Sequence, residues 1–158
     1  MLISQLRNIL IHDVVSKDKV LALLSQLTTV TDKNGQTISE EYYNYLFRLL
    51  PPTHYIYVMY SEKGEIGEEE EQLVGMGTLI VERKLVHGGN PVGHIEDVII
   101  DKKYRGESYG KKLIDFLVDK CRESGCYKVI LNCDEKCVGF YERLGFSQKN
   151  VEMSMYLE

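Results

Sequence analysis

The chain has 158 residues, 44% of them hydrophobic and 27% charged, ordinary values for a globular domain with a core of its own. A net charge of −5 argues against a general nucleic-acid binder, which needs a basic surface. No apolar run approaches the ~20 residues of a membrane span, and the opening MLISQLRNIL lacks the features of a secretion signal, so a soluble cytoplasmic protein with one domain over 1–158 is expected.

Residues 7–15, RNILIHDVV, read as a strand in which Ile9, Ile11 and Asp13 alternate against Leu10 and His12. Ser16 suits the cap of a helix over 17–27, with Val20, Leu23, Leu24 and Leu27 as its inner face. A loop over 28–35 leads to a second helix, 40–50, opened by Ser39 and stopped by Pro51 and Pro52. Tyr42, Tyr43 and Tyr45 cover too much of that helix for a simple surface element, which implies packing on more than one side or against a ligand. Residues 54–60 alternate as a strand, 61–71 form a solvated acidic turn, and 72–84 return as the second strand of the hairpin. Gly75 and Gly77 in that strand mark a bulge or a close approach, and 87–91 is a turn.

The stretch from 92 to 114, VGHIEDVIIDKKYRGESYGKKLI, organises the rest. Its first part is a β-branched strand, Ile95, Val98, Ile99 and Ile100, interrupted by Glu96 and Asp97. Its last part opens a helix whose apolar residues recur at Leu113, Ile114, Leu117, Val118 and Cys121, ending near Ser124 and Gly125. The turn between them carries Gly106 and Gly110. Residues 102–112 hold Lys102, Lys103, Arg105, Lys111 and Lys112 against only Glu107. The first amides of a helix have no internal partner, the dipole favours an anion there, and glycine lets backbone approach a ligand closely. A phosphate-bearing ligand is therefore expected, although neither the P-loop spacing nor the dinucleotide fingerprint is present.

Residues 127–133, YKVILNC, read as a buried strand, Asp134 or Glu135 opens a short helix reaching 141–144, and 146–149 and 151–157 read as two closing strands. The order β α α β β β α β α β β, with hairpins and one strand–helix–strand crossover, predicts a mixed sheet with helices on both faces. Cys121, Cys126, Cys133 and Cys137 contain no C-x-x-C pair, and packed, reduced thiols without metal are expected.

Strand, Arg-Gly-x-x-x-Gly, helix resembles the acetyl-CoA loop of the GNAT superfamily of N-acetyltransferases. Their pattern, Arg/Gln-x-x-Gly-x-Gly/Ala, falls on Arg105, Ser108 and Gly110, with Ser108 in place of the first glycine. CVGFYERLGF at 137–146 resembles the family's late segment, a short helix with a tyrosine followed by Gly-Phe, with Cys137 replacing the usual asparagine. LTTV at 27–30, GHIEDV at 93–98 and GCYKVILNCDEK at 125–136 resemble the branch that acetylates the amine of glucosamine 6-phosphate.

The resemblance implies an α/β (α+β) fold with a mixed, mostly antiparallel sheet and helices on both faces. It implies acetyl-CoA as co-substrate, no metal, and an amino sugar phosphate as acceptor in UDP-N-acetylglucosamine synthesis. It also implies a homodimer with shared sites, and no nucleic-acid or membrane partner. Arg105 and the amides of Gly106, Glu107, Ser108, Tyr109, Gly110 and Lys111 would hold the pyrophosphate; backbone of Val98, Ile99 and Ile100 would bind acetyl and pantetheine; Cys137 would stand at a CoA contact. Tyr141 would give a hydrogen bond or proton to the leaving thiolate, and Glu96 and Asp97 would meet the amino sugar in catalytic roles. On a regular strand those two carboxylates point to opposite faces, so they act together only if the strand is distorted. Thr28, Lys84, His87, Tyr127, Lys128 and Asn132 are implied sugar or phosphate contacts, Asn132 standing where relatives carry a carboxylate. Tyr156 stands where relatives carry an arginine that reaches the sugar phosphate across the dimer. Acetylation of a polyamine or a protein lysine, and a non-catalytic CoA-binding module, stay open beside this reading.

Overall fold

The computed structural model describes residues 5–8, 15–61 and 72–157. Among these residues, five strands form one sheet in the order β1-β2-β3-β4-β5: β1 (Gln5–Asn8), β2 (His54–Tyr60), β3 (Leu73–Glu82), β4 (Val92–Ile100) and β5 (Lys128–Leu131). Neighbours run antiparallel except β4 and β5, whose parallel pairing is made by the crossover through α3 (Tyr109–Glu123). Two helices, α1 (Lys17–Leu24) and α2 (Glu40–Leu49), bury one face of the sheet, and α3 with α4 (Glu135–Glu142) buries the other. The mixed, mostly antiparallel α/β architecture is the one expected.

Each face has its own core. Val20 and Leu23 of α1 and Tyr43 of α2 pack on Val58, Met76 and Ile99. Leu113, Ile114, Leu117 and Cys121 of α3 pack on Tyr57, Val74, Leu79 and Ile95. Burying a side chain of this kind contributes roughly 1.5–3 kcal/mol. In α2, Ser39 Oγ accepts from the Tyr42 amide at 3.1 Å, and Tyr43 donates its phenol to Val15 O at 3.0 Å while meeting Phe47 edge to face. The tyrosine-rich helix is therefore packed through Tyr43, while Tyr42 and Tyr45 stay exposed and line a concavity of about 640 Å³ with Ser39, Glu41, Asn44 and Arg48.

Several boundaries differ from the sequence-based expectation. Helix α1 stops at Leu24, because Gln26 and Leu27 donate to the carbonyls three residues back and tighten the chain out of the helix, leaving Leu27 exposed. Ser16 caps α1 only through its backbone, with no bond from its hydroxyl. Of the expected strand over 7–15, Arg7 and Asn8 lie in β1 and 9–14 fall outside the described residues, as does the acidic stretch 62–71. The strand expected over 127–133 is shorter and is not buried. It is the last strand of the sheet, so only Val129 and Leu131 meet the α3 core while Lys128 and Ile130 face outward. The two closing strands are not formed. Alternation favours a strand only where a neighbour supplies the ladder, and among the described residues nothing pairs with 146–157. None of the described helices is long and apolar enough to cross a membrane.

Candidate active site

The distortion that two adjacent carboxylates require is present in the middle of β4. Met76 pairs with Ile99 and Thr78 with Glu96, so Gly77 alone faces both Asp97 and Val98. One extra residue on β4 makes a bulge, and Asp97 takes it up with φ of +51°, a left-handed conformation that Asp tolerates better than most side chains. The bulge reverses the strand's facing: Ile95 packs in the α3 core and Ile99, four residues on, in the α1/α2 core. It also breaks the ladder where the strand is otherwise central. Thr78, buried on β3, donates its hydroxyl to Asp97 Oδ2 at 3.3 Å. The neighbouring Glu96 is half-buried, and burial first, then the Asp97 charge, raise its carboxyl above the ordinary range.

Beyond β4, the turn to α3 is fixed from both sides. Gln26, at the end of α1, donates to Asp101 Oδ2 and accepts from the Lys102 amide, each at 3.0 Å. Arg105 Nε donates to Ile100 O at 3.0 Å, tying the exposed guanidinium to the end of β4. Gly106 has φ of +91° and Ser108 +66°, so the chain curls through two left-handed positions before α3 begins. The first turn of α3 then faces its amides outward, since a helix offers them no internal acceptor. Ser108 is the N-cap by position, yet its hydroxyl makes no capping bond. The serine is tolerated for its backbone, not as the side-chain cap its identity suggests. Gly110 has a different cause from Gly106: a Cβ there would stand 3.2 Å from Phe140 Cζ of α4, so this glycine seats α4 on α3. The cations, curled backbone and outward amides suit a phosphate group.

Helix α4 carries Cys137 and Tyr141 one turn apart. Tyr141 is half-buried between Phe140 and Phe146, and its phenol is pushed up to about 12, by burial first and then by the nearby Cys133 and Cys137 thiols.

The model of the acetyltransferase (GNAT) family matches residues 22–146. The chain belongs to that family. It is 36% identical over 141 residues to glucosamine 6-phosphate N-acetyltransferase of Arabidopsis thaliana, covering 87% of each chain. It is also 36% identical over 136 residues to the enzyme of that name from Candida albicans, covering 86% of this chain and 85% of the relative. The crystal structure of the Arabidopsis thaliana enzyme superposes with a TM-score of 0.77 at 30% identity, over 99% of both chains.

In this GNAT chain the residues expected at the acceptor site fall into two groups. Glu96 and Asp97 stand at the bulge. Asn132 follows β5 directly after Leu131, the partner of Ile95, and Thr28 lies just past α1, whose Gln26 clamps the following turn. Lys84, His87, Tyr127 and Lys128 stand toward the other end of β4. There His87, itself at φ of +54°, stacks on Tyr127 with centroids 4.5 Å apart, and Lys128 Nζ lies 5.6 Å from the same ring. Val92, beside Lys128, and Glu96 are separated by four residues of strand, about 13 Å. Tyr156 joins neither group; it lies on the exposed chain after α4. Lys84 is ion-paired with Glu82 at 2.5 Å, and Glu82 also meets His94 Nε2 at 2.7 Å.

That Glu82–His94 link is a feature that sequence reasoning missed, together with Thr78 under Asp97. Its signal was available: His94 and Glu96 are alternate polar residues of β4, which places them on one face of the strand within reach of a polar partner on β3. Val98 and Ile100 lean on the α3 core while Ile99 is buried opposite.

Proposed function

We propose that this chain transfers acetyl from acetyl-CoA to the amine of glucosamine 6-phosphate, giving N-acetylglucosamine 6-phosphate, by direct attack within a ternary complex. The observation that carries this reading is the bulge at Asp97, where a perturbed carboxylate and a broken ladder stand in the same strand that runs on into the anion-suited turn before α3. The named relatives, alike over most of their length, supply the acceptor.

On this reading the pyrophosphate of acetyl-CoA lies on Arg105 and the amides from Gly106 to Lys111, and the thioester carbonyl meets backbone N–H near Val98 to Ile100. Glu96, whose carboxyl is raised by burial and by Asp97, is a stronger base than an ordinary carboxylate and takes a proton from the acceptor amine. Asp97, oriented by the Thr78 hydroxyl, holds the sugar. Tyr141 stays protonated throughout the working range. Its phenol, pushed up to about 12, lies well above a thiol of ~8.5, so the hydrogen bond it gives to the departing thiolate stabilises the anion without complete proton transfer.

The acceptor site is completed by a second copy of the chain. Support comes from the separation of the two polar groups and from the chain end, where Val151, Met153, Met155, Tyr156 and Leu157 are between 84% and 96% exposed. Apolar alternation of that kind fits a strand lent to a neighbour. With Tyr156 in place of an arginine, the sugar phosphate is held by fewer charges than in relatives that carry one.

The test is release of CoA thiol from acetyl-CoA with glucosamine 6-phosphate, glucosamine, polyamines and lysine peptides as acceptors. Preference for the phosphorylated sugar is expected. A polyamine preferred over every sugar would instead assign Glu96 and Asp97 to a cationic acceptor, and no turnover with any amine would leave a CoA-binding module.

A further inference from the structure

The four cysteines form two pairs with different surroundings. Cys121 is fully buried on α3 and lies hard against Gly93 of β4, and Cys126 is half-buried in the connection to β5. Cys133 is exposed and immediately precedes Asp134, the N-cap of α4. Cys137 is half-buried in the first turn of that helix, its amide donating to Asp134 O at 2.8 Å. Cys137 and Tyr141 are four residues apart within α4, which brings their side chains to one side of the helix, and Cys133 lies just before its cap. Both thiols lie close enough to act electrostatically on the Tyr141 phenol. Two accessible thiols thus border the group that, on the acetyl-CoA reading above, meets the cofactor's sulfur.

We propose that Cys137 is a site of reversible S-thiolation by CoA disulfide, which closes the acetyl-CoA site under oxidising conditions. The inference rests on that cofactor reading. The Cys137 thiolate attacks one sulfur of the disulfide; a Cys137–CoA S–S bond forms, the CoA–CoA S–S bond breaks, and the released CoA thiolate takes up the proton that Cys137 lost. One disulfide replaces another, so no further oxidant is needed. A disulfide whose pyrophosphate is already held by Arg105 and the α3 amides presents its sulfur at high local concentration, and this selects CoA disulfide over other small disulfides. The bound half then fills the place of acetyl-CoA, and an excess of reducing thiol removes it. Cys121, fully buried on α3, and Cys126, away from α4 in the connection to β5, serve as internal controls.

The test uses the full chain, incubated with CoA disulfide or with glutathione disulfide at equal concentration and followed by intact mass and non-reducing peptide mapping. Expected are a single CoA adduct on Cys137, formation at least tenfold faster than glutathionylation, slowing by saturating acetyl-CoA, loss of thiol-release activity in step with labelling, and recovery with dithiothreitol. A Cys133→Ser chain is expected to label at the same site. Adducts on Cys133 or Cys126 instead, or equal rates with both disulfides, overturn the proposal. Calorimetry with acetyl-CoA on the same preparation separates the two readings. Binding without a Cys137 adduct overturns the modification alone, whereas no binding overturns the cofactor reading and the proposal with it.

Discussion

Strands β3 and β4 lie between two helical layers, whereas β5 and the chain after α4 have, among the described residues, neighbours on one side or on none. In β3, Val74 and Leu79 are completely buried between the cores, and even its glycines are close-packed, Gly75 against Ile99 O and Gly77 against Leu117. At the other extreme, the apolar residues of 151–157 lie in solvent. The difference separates what this sequence holds by itself from what it offers to something else. The candidate site sits on the boundary: its bulge lies between Ile95 and Ile99, buried in the two cores, while the cationic turn, Asn132 and Tyr156 are exposed.

The largest expected effect falls on the packed side. Tyr141→Phe is expected to leave both substrates bound and to slow transfer by ~10²–10³-fold, the loss typical of one donor to a developing anion, measured as turnover at saturating acetyl-CoA. A normal rate would return Tyr141 to a purely packing role between Phe140 and Phe146. The contrast in stability is tested by a pair of substitutions. Leu117→Ala removes a fully buried side chain and is expected to cost about 2–5 kcal/mol in denaturant unfolding. Met155→Ala at low protein concentration is expected to stay within about 0.5 kcal/mol, and its effect to grow with concentration if the tail seats on a second copy. An equal loss for Met155→Ala in dilute monomer would break the comparison.

Glu96 joins stability to function. Its carboxyl is raised, so the folded chain binds that proton more tightly than the unfolded one, and stability falls as pH climbs from the ordinary carboxylate value through the raised one. Glu96→Gln is therefore expected to raise Tm at neutral pH and flatten that slope, while slowing transfer. A lower Tm at neutral pH would mean that a stabilising partner, not burial and Asp97, governs this carboxyl. At the open end, Tyr156→Arg is expected to give a roughly tenfold selective gain for glucosamine 6-phosphate over glucosamine, since arginine restores a charge-assisted contact to phosphate. No selective change would sink the cross-subunit site. A modest effect is left for Ser108→Gly: relieving a left-handed serine is expected to stabilise by about 1 kcal/mol, read as a small rise in Tm with acetyl-CoA affinity kept.

What was legible in the sequence follows the same boundary. The β4–turn–α3 unit, the hairpin and the helix faces were readable because their periodicities answer to partners inside the chain, as Leu113, Leu117 and Cys121 do. The bulge left only an indirect trace, Gly77 on the opposite strand, because Asp97 enters the left-handed region without a glycine to announce it. Gly110 was visible as a glycine, but its reason was not, since Phe140 approaches from thirty residues farther on. The closing strands misled for a plain reason: Val151, Met153 and Met155 alternate as a strand should, and alternation does not say whether the neighbour belongs to the same chain.

The reversal of facing within β4 has a consequence for how the molecule comes apart. A strand that places Ile95 in one core and Ile99 in the other cannot leave either without disturbing both. The two helical layers are thereby joined into a single cooperative unit, and amide hydrogens on either side of the bulge should exchange through the same global opening, with matching free energies. An insertion that lets the central strand of the candidate site change faces is, in the same stroke, the pin that keeps the two halves of the protein from melting separately.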